Sequence, residues 1–405
     1  MSSIFSSADI LLPKNIGNAE FAKQWAVIAC DQFTAEPEYW NAVEKEVSDA
    51  PSALRIILPE VFLDQKETRF SAIASKMVEY RQSVFCEYKN SMVFVKRNVG
   101  GKERLGIVGK IDLEEYDYSV GSKSAVRATE GTVLERIPPR VEVRRNAVIE
   151  SPHVMLLIDD ARKTVIEPLL SEMDSLAKIY DFDLMLDGGH IDGYLLTEKA
   201  ADRVCQRLEK LFSESSNSIK FAVGDGNHSL ASAKARYEEL KAQIGDAAKS
   251  HPLRYALCEV VNLHDNALEF EPIYRIVKTS DKNALIENLK KYAGECGAGN
   301  QTVDCLYDGK NERISLGNGT HMLTVGTLQK FLDAYSGIEI DYIHGLDSVK
   351  KLSEGEDMIG FVFDGMRKDE LFSVVERDGA LPRKTFSMGE ARDKRYYIEC
   401  RNITE

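Results

Sequence analysis

No run in the 405 residues approaches the ~20 consecutive apolar residues that a helix needs to cross a bilayer. The opening MSSIFSSADILLPKNIG lacks both a basic start and a sustained apolar stretch, so no secretory signal is read there. Cysteine is sparse. Its seven copies, at 30, 86, 205, 258, 296, 305 and 400, are odd in number, scattered and never spaced as CxxC. That excludes a disulfide framework or a cysteine-held zinc site and points to reduced thiols in a cytoplasmic protein. No Gly-x-Ser-x-Gly occurs and no Cys stands beside a His, which leaves nucleophilic catalysis without a candidate. Positive charge is also short: 52 Lys and Arg against 65 Asp and Glu leave a net −13. Nucleic acid and anionic membranes attract the opposite sign, so neither is expected as a partner.

The 43% hydrophobic and 29% charged residues place the chain in the ordinary globular class, and its length suits two or three domains. Apolar runs alternate with helical patterns. Helices are predicted over 37–47 (opened by Pro37), 65–84, 167–180 and 200–212. Strands are predicted over 53–62, 91–99, 104–113, 149–160 and 255–263, with a hairpin over 181–197 turning at Asp187–Gly189. Beyond residue 278 short strands (TVDCLY, HMLTVG, MIGFVFDG, RYYIECR) alternate with short helices such as NALIENLKKYAG. The expected architecture is mixed α/β, with a core over 1–278 and an α+β portion over 279–405.

The most informative stretch is FAVGDGNHSLASAKARYEEL, 221–240. IKFAV (219–223) suits a central strand, while Leu230, Ala233, Tyr237, Leu240 and Ile244 recur at helical spacing. GDGNHS is therefore a strand-to-helix turn. Gly224 and Gly226 permit positive φ and close backbone approach, and Asp225, Asn227 and Ser229 are capping residue types. The unpaired amides of a first helical turn attract anions, and His228 could hydrogen-bond a phosphate held there. The pattern is neither the dinucleotide GxGxxG nor a Walker A loop, and by itself it also describes a plain capped turn.

Together with other segments, GDGNHSLASA resembles the DGHHRYEAA signature of the bacterial domain-of-unknown-function 1015 family, whose turn resembles that of ParB-like and free-serine-kinase proteins. RATEGTVLERIPPR (127–140), DGGHIDGYLLT (187–197), PIYR (272–275), DYIHG (341–345) and LPRKTF (381–386) resemble further family segments, in order, over roughly residues 110–390. Asn227 and Ser229 stand where the signature has a His and an Arg, and Tyr274 stands where PIYR's counterpart has a His. The resemblance implies a ParB/sulfiredoxin-like core and phosphoryl transfer to a small hydroxyl metabolite, free L-serine foremost, from a nucleotide or pyrophosphate donor. The alternatives are a phosphatase or nucleotide triphosphatase on the same site, and a non-catalytic ParB-like nucleotide-binding regulator.

The residues expected to carry this chemistry are Asp225, His228 and Glu130 as catalytic groups. Gly224, Gly226, Asn227, Ser229, Arg127, Arg140, His190, Arg275 and Lys384 are expected to bind phosphate or substrate. Arginine's planar donor fork suits a phosphate, which singles out the run from Arg127 to Arg140. RVEVRR (140–145) read alone is a solvated β-ribbon. Asp187, His190 and Asp192 fall close together, but a polar turn explains them better than a protein metal cage. Mg²⁺ arriving with the phosphate donor is the expected cofactor, since it keeps its waters and needs only one or two carboxylates. Asp31, ending the apolar run of IACDQF, reads mainly as a cap.

Overall fold

The computed structural model describes residues 3–30, 33 and 36–404, without the side chains at 63, 64, 66 and 67. Asp31 lies outside the described residues. The class is mixed α+β. The chain divides into two compact units, one of Met1–Ala128, Thr132–Leu268 and Glu390–Glu405, the other of Thr129–Gly131 and Glu269–Gly389.

The first unit is built on a mixed sheet with thirteen strands among the described residues. Its central path runs Tyr116–Asp117, Val126–Ala128, Phe221–Asp225, Met155–Ile158, Tyr255–Asn262, Lys102–Asp112, Phe85–Val99. Phe221–Asp225 lies parallel to Val126–Ala128 and antiparallel to Met155–Ile158. Its Phe221, Ala222 and Val223 are fully buried, the near-continuous apolar run expected of a strand covered on both faces. At the far edge, Cys400–Asn402 from the end of the chain pairs between Ala8–Pro13 and Ile149–Glu150. In the second unit a six-stranded antiparallel sheet is centred on Phe270–Lys278 and Met358–Val362. A separate core containing Leu285, Leu289, Val303, Leu328 and Phe361 supports it.

Several local expectations change. Residues 53–62 form no strand; they make short 3-10 turns at Ala53–Arg55 and Glu60–Gln65, because Ser52 caps the first and Pro59 has no amide for a ladder. Residues 149–160 split into Ile149–Glu150 and Met155–Ile158 around Pro152. The 167–180 helix is a 3-10 segment, Glu167–Ser175, followed by the strand Ala177–Asp183, where Tyr180 and Phe182 bury with a period of two. RVEVRR is helical, within Ile137–Arg145, as Pro138 and Pro139 set its first turn. HMLTVG leads into the helix Thr324–Ala334, whose Val325, Leu328 and Leu332 share one buried face.

Candidate active site

The turn of interest is tighter than its sequence suggested. The strand runs to Asp225 and the helix Asn227–Ile244 begins two residues later, so Gly226 alone makes the turn. Its φ of 81° is left-handed, and a Cβ there would meet Val154 Cα at 3.0 Å. Gly224 belongs to the strand, and among the glycines of this turn only Gly226 has positive φ. The Gly226 cap supplies no side chain to the helix, whose first backbone bond is Leu230 N to Gly226 O at 3.0 Å. The amides of Asn227, His228 and Ser229 therefore open an 18-residue helix with no capping side chain, the arrangement that attracts anions. Asn227 Oδ1 is buried without a protein partner. Leu230, Ala231, Ala233 and Tyr237 anchor the helix in the core, and Ala231 packs against Ile137 and Val141 of the helix Ile137–Arg145.

Asp225 is the centre of the charge pattern. Its Oδ1 accepts from the Gly226 amide at 2.8 Å and its Oδ2 lies 3.4 Å from Lys394 Nζ. Burial pushes this carboxyl up, but Lys394, His153 and the Gly226 amide together outweigh it and hold Asp225 below the ordinary carboxylate range. His153 Nδ1 sits 2.5 Å from the Tyr397 hydroxyl. Burial lowers the His153 pKa, and Arg140, Arg395 and Lys394 lower it further against the pull of Asp225. Burial, then Asp225, pushes Tyr397 above the ordinary phenol range. At neutral pH this gives an ionised Asp225 and a neutral His153–Tyr397 pair. Arg140 acts on both members of that pair while bonding the Arg136 carbonyl at 2.9 Å and Glu60 at 3.3 Å.

Lys394 is set in place by two buried arginines. Arg97 donates to the carbonyls of Arg392 (2.5 Å), Asp393 (3.1 Å), Lys394 (2.5 Å) and Gly188 (3.0 Å), and Arg104 donates to Asp393 O at 2.8 Å. Guanidinium groups spent on backbone oxygens fix the segment that carries the lysine.

Other expected residues have other employment. His228 Nε2 accepts from the Val133 amide at 3.2 Å, so this nitrogen bears no proton and is already engaged. Arg127 is buried, with Nε on Ser124 O and a terminal nitrogen on Ser218 Oγ, both at 2.8 Å. Ser218 precedes the strand that Asp225 ends, so Arg127 secures the end of the strand away from the turn. His190 binds Asp183 (2.7 Å) and Asp181 (3.0 Å) on its own hairpin, and four strands separate that hairpin from Phe221–Asp225 in the sheet. Glu130 belongs to the second unit, where it bridges to Leu381. In that unit Arg275 is fully buried, held by Gln329 (2.8 Å) and the carbonyls of Ile273 (2.5 Å) and Lys384 (2.9 Å). Lys384 itself is exposed, at φ 59°. Within the first unit, Asp225, Asn227, His228, Ser229, Gly226 and Arg140 gather around the turn, while Arg127 and His190 do not.

A family model described as "Protein of unknown function (DUF1015)" matches residues 12–357. The chain belongs to this family. No curated protein matches this DUF1015 member. Among solved structures it is similar to a free serine kinase mutant in complex with AMP, at 12% identity and a TM-score of 0.39, over 72% of this chain and 93% of that one. It is similar to a conserved hypothetical protein from Pyrococcus furiosus at 14% identity and a TM-score of 0.35, over 70% and 94% of the two chains. It is also similar to C-terminally truncated SbnI from Staphylococcus aureus, at 10% identity and a TM-score of 0.38, over 70% and 82%. Scores this low do not establish a shared fold.

Asp225, ionised at neutral pH, offers an oxygen donor, which suits one bond to a Mg²⁺ that keeps its waters. Among the described residues of this DUF1015 chain, one group of three has metal-ligand geometry: Asp181, His190 and Asp192. Lys178 lies across it, 2.6 Å from Asp181 and 3.0 Å from Asp192, and supplies the positive charge there itself. Asp187, read with that set in the sequence, pairs with Arg392 at 3.4 Å instead. His153, Lys394 and Tyr397 were missed because each stands alone in an unremarkable segment. The nearest signal was the density of Arg, Lys and Tyr in ARDKRYYIECR, which reads equally well as an exposed strand.

Proposed function

We propose that this DUF1015 protein is a phosphotransferase that moves a phosphoryl group from a nucleotide or pyrophosphate to a small hydroxyl metabolite. Free L-serine is the acceptor suggested by the resemblance of its motifs. The observation that carries the reading is an uncapped helix N-terminus set beside the Asp225–Lys394 pair. The amides of Asn227 to Ser229 cradle donor phosphate, and Lys394 and Arg140 neutralise charge on the transferring group. Asp225 orients the acceptor hydroxyl and would hold Mg²⁺ brought in with the donor, which adds charge neutralisation. As the new O–P bond forms, the hydroxyl proton passes to Asp225. The leaving phosphate departs with the electron pair of the broken P–O bond.

The test is a transfer screen with ATP, ADP, CTP and pyrophosphate, each with Mg²⁺ and with or without L-serine. The reading expects a phosphoester product that needs both donor and acceptor. Phosphate release at a rate indifferent to any hydroxyl acceptor would make the protein a hydrolase, and no turnover with any donor would remove the catalytic reading.

A further inference from the structure

Three buried arginines of the first unit, Arg97, Arg104 and Arg395, line one internal cavity together with Glu259, Glu399 and Tyr396. All three are at most 4% exposed, and the Nε–H of each is buried with no hydrogen-bond partner in the protein. A buried donor left unpaired is unfavourable, so three around one cavity call for an acceptor. The cavity has a volume of about 10 Å³, room for a single small occupant.

The charged side chains lining it are unequal in number. Three guanidinium groups face two carboxylates, and Glu399 is already committed to Arg395 at 2.8 Å and to the Tyr180 hydroxyl at 2.6 Å. Glu259 reaches only Arg395 Nε, at 3.5 Å, beyond good hydrogen-bond geometry. Burial first, and the neighbouring Arg104 charge second, pull the Arg97 guanidinium down to about 9, against Tyr396, Glu259 and Asp393.

We propose that this cavity is a binding site for a monoatomic halide anion, chloride in physiological media, held by the unpaired Nε–H groups. A halide supplies the missing negative charge and accepts from several donors at once; a polyatomic oxyanion is too large. Arg97 and Arg104 also hold the backbone of Arg392 to Lys394, so the anion steadies the segment that places Lys394 beside Asp225. The site is independent of the proposed reaction, because its occupancy is read from stability and scattering.

The experiment compares melting in sodium chloride, bromide and gluconate at constant ionic strength. Halide at about ten times its dissociation constant should raise the Tm by about 2 °C in a saturable way. Glu259→Gln, which adds one net positive charge, should lower the halide concentration at half-effect by about tenfold, and Arg104→Gln should abolish the effect. Should either variant fail to fold, crystals of the unmodified protein soaked in sodium bromide decide the matter: an anomalous peak in the cavity is expected. Equal melting in all three salts, with only water density between the arginines, would overturn the proposal.

Discussion

Asp225 and Lys394 are 3.4 Å apart, and the lysine is the leading influence that lowers the carboxyl's pKa. Lys394→Met removes the leading influence that lowers the Asp225 pKa, leaving burial to raise it. Activity that needs ionised Asp225 is present above its pKa and lost as pH falls through it. The acid limb of the pH–rate profile should therefore move to higher pH in Lys394→Met, with turnover at pH 7 down by ~100-fold. A limb that stays in place would detach the lysine from the carboxylate. His153 gives a stability prediction of the same sign. Its folded pKa lies below the unfolded value of about 6.5, so the unfolded chain takes up a proton first as pH falls. The stability it contributes is complete above that unfolded value and declines as pH falls from there through the folded pKa. His153→Gln should flatten that part of the denaturation midpoint–pH curve. The thiols offer a control at this scale. Burial raises Cys258 and pushes Cys305 and Cys400 up to about 12, so Cys258→Ala should leave turnover within a few-fold where folding survives. The turn that carries Asp225, Asn227 and His228 was legible because the three stand together in one polar run. His153 and Tyr397 were not, since a 2.5 Å contact spans 244 positions of sequence that no local pattern connects. Arg127 and Arg275 misled for a related reason. A guanidinium is equally good at clamping carbonyls and at binding phosphate, and only burial separates the two.

The strand–Gly226–helix element joins conformation to chemistry. Gly226→Val asks a β-branched residue to adopt φ 81° and sets its Cβ 3.0 Å from Val154 Cα. Loss of several degrees in Tm together with most of the turnover is the expected outcome, measured by thermal unfolding and by rate per folded molecule. A stable, active variant would mean that the backbone can relax without disturbing the cradle. Both flanking elements were readable, the strand from its unbroken apolar run and the helix from spacings of three and four. Their separation by a single residue was not, because GDGNHS offers five plausible boundaries and only packing against Val154 selects one. Elsewhere the short runs 53–62 and 321–326 have the composition of strands but become a pair of 3-10 turns and the approach to a helix. A six- to ten-residue apolar run lacks a decisive period, and in the second case the deciding residues, Leu328 and Leu332, lie beyond it.

For the whole molecule, the net charge of −13 concentrates any anion binding into local constellations. Pyrophosphate or a nucleotide with Mg²⁺ should raise the melting temperature in proportion to RT ln(1 + [L]/Kd), whereas duplex DNA at physiological salt should leave it unchanged. Tight, salt-sensitive DNA binding would favour a regulator instead. The mixed α+β class was legible from the alternation of runs. The return of Cys400–Asn402 to the first sheet was not, because no change in composition announces a strand whose partners lie near the other end of the chain. That return brings Lys394 and Tyr397 to the turn. The proposed phosphoryl transfer therefore depends on the turn's carboxylate, and Asp225→Asn tests it most directly. This variant keeps the size and the contact with the Gly226 amide while removing the charge. Phosphoester formation per folded molecule should fall by ~100-fold or more while the Tm shifts by only a few degrees. Near-normal turnover in a folded Asp225→Asn protein would contradict the account and place the chemistry elsewhere.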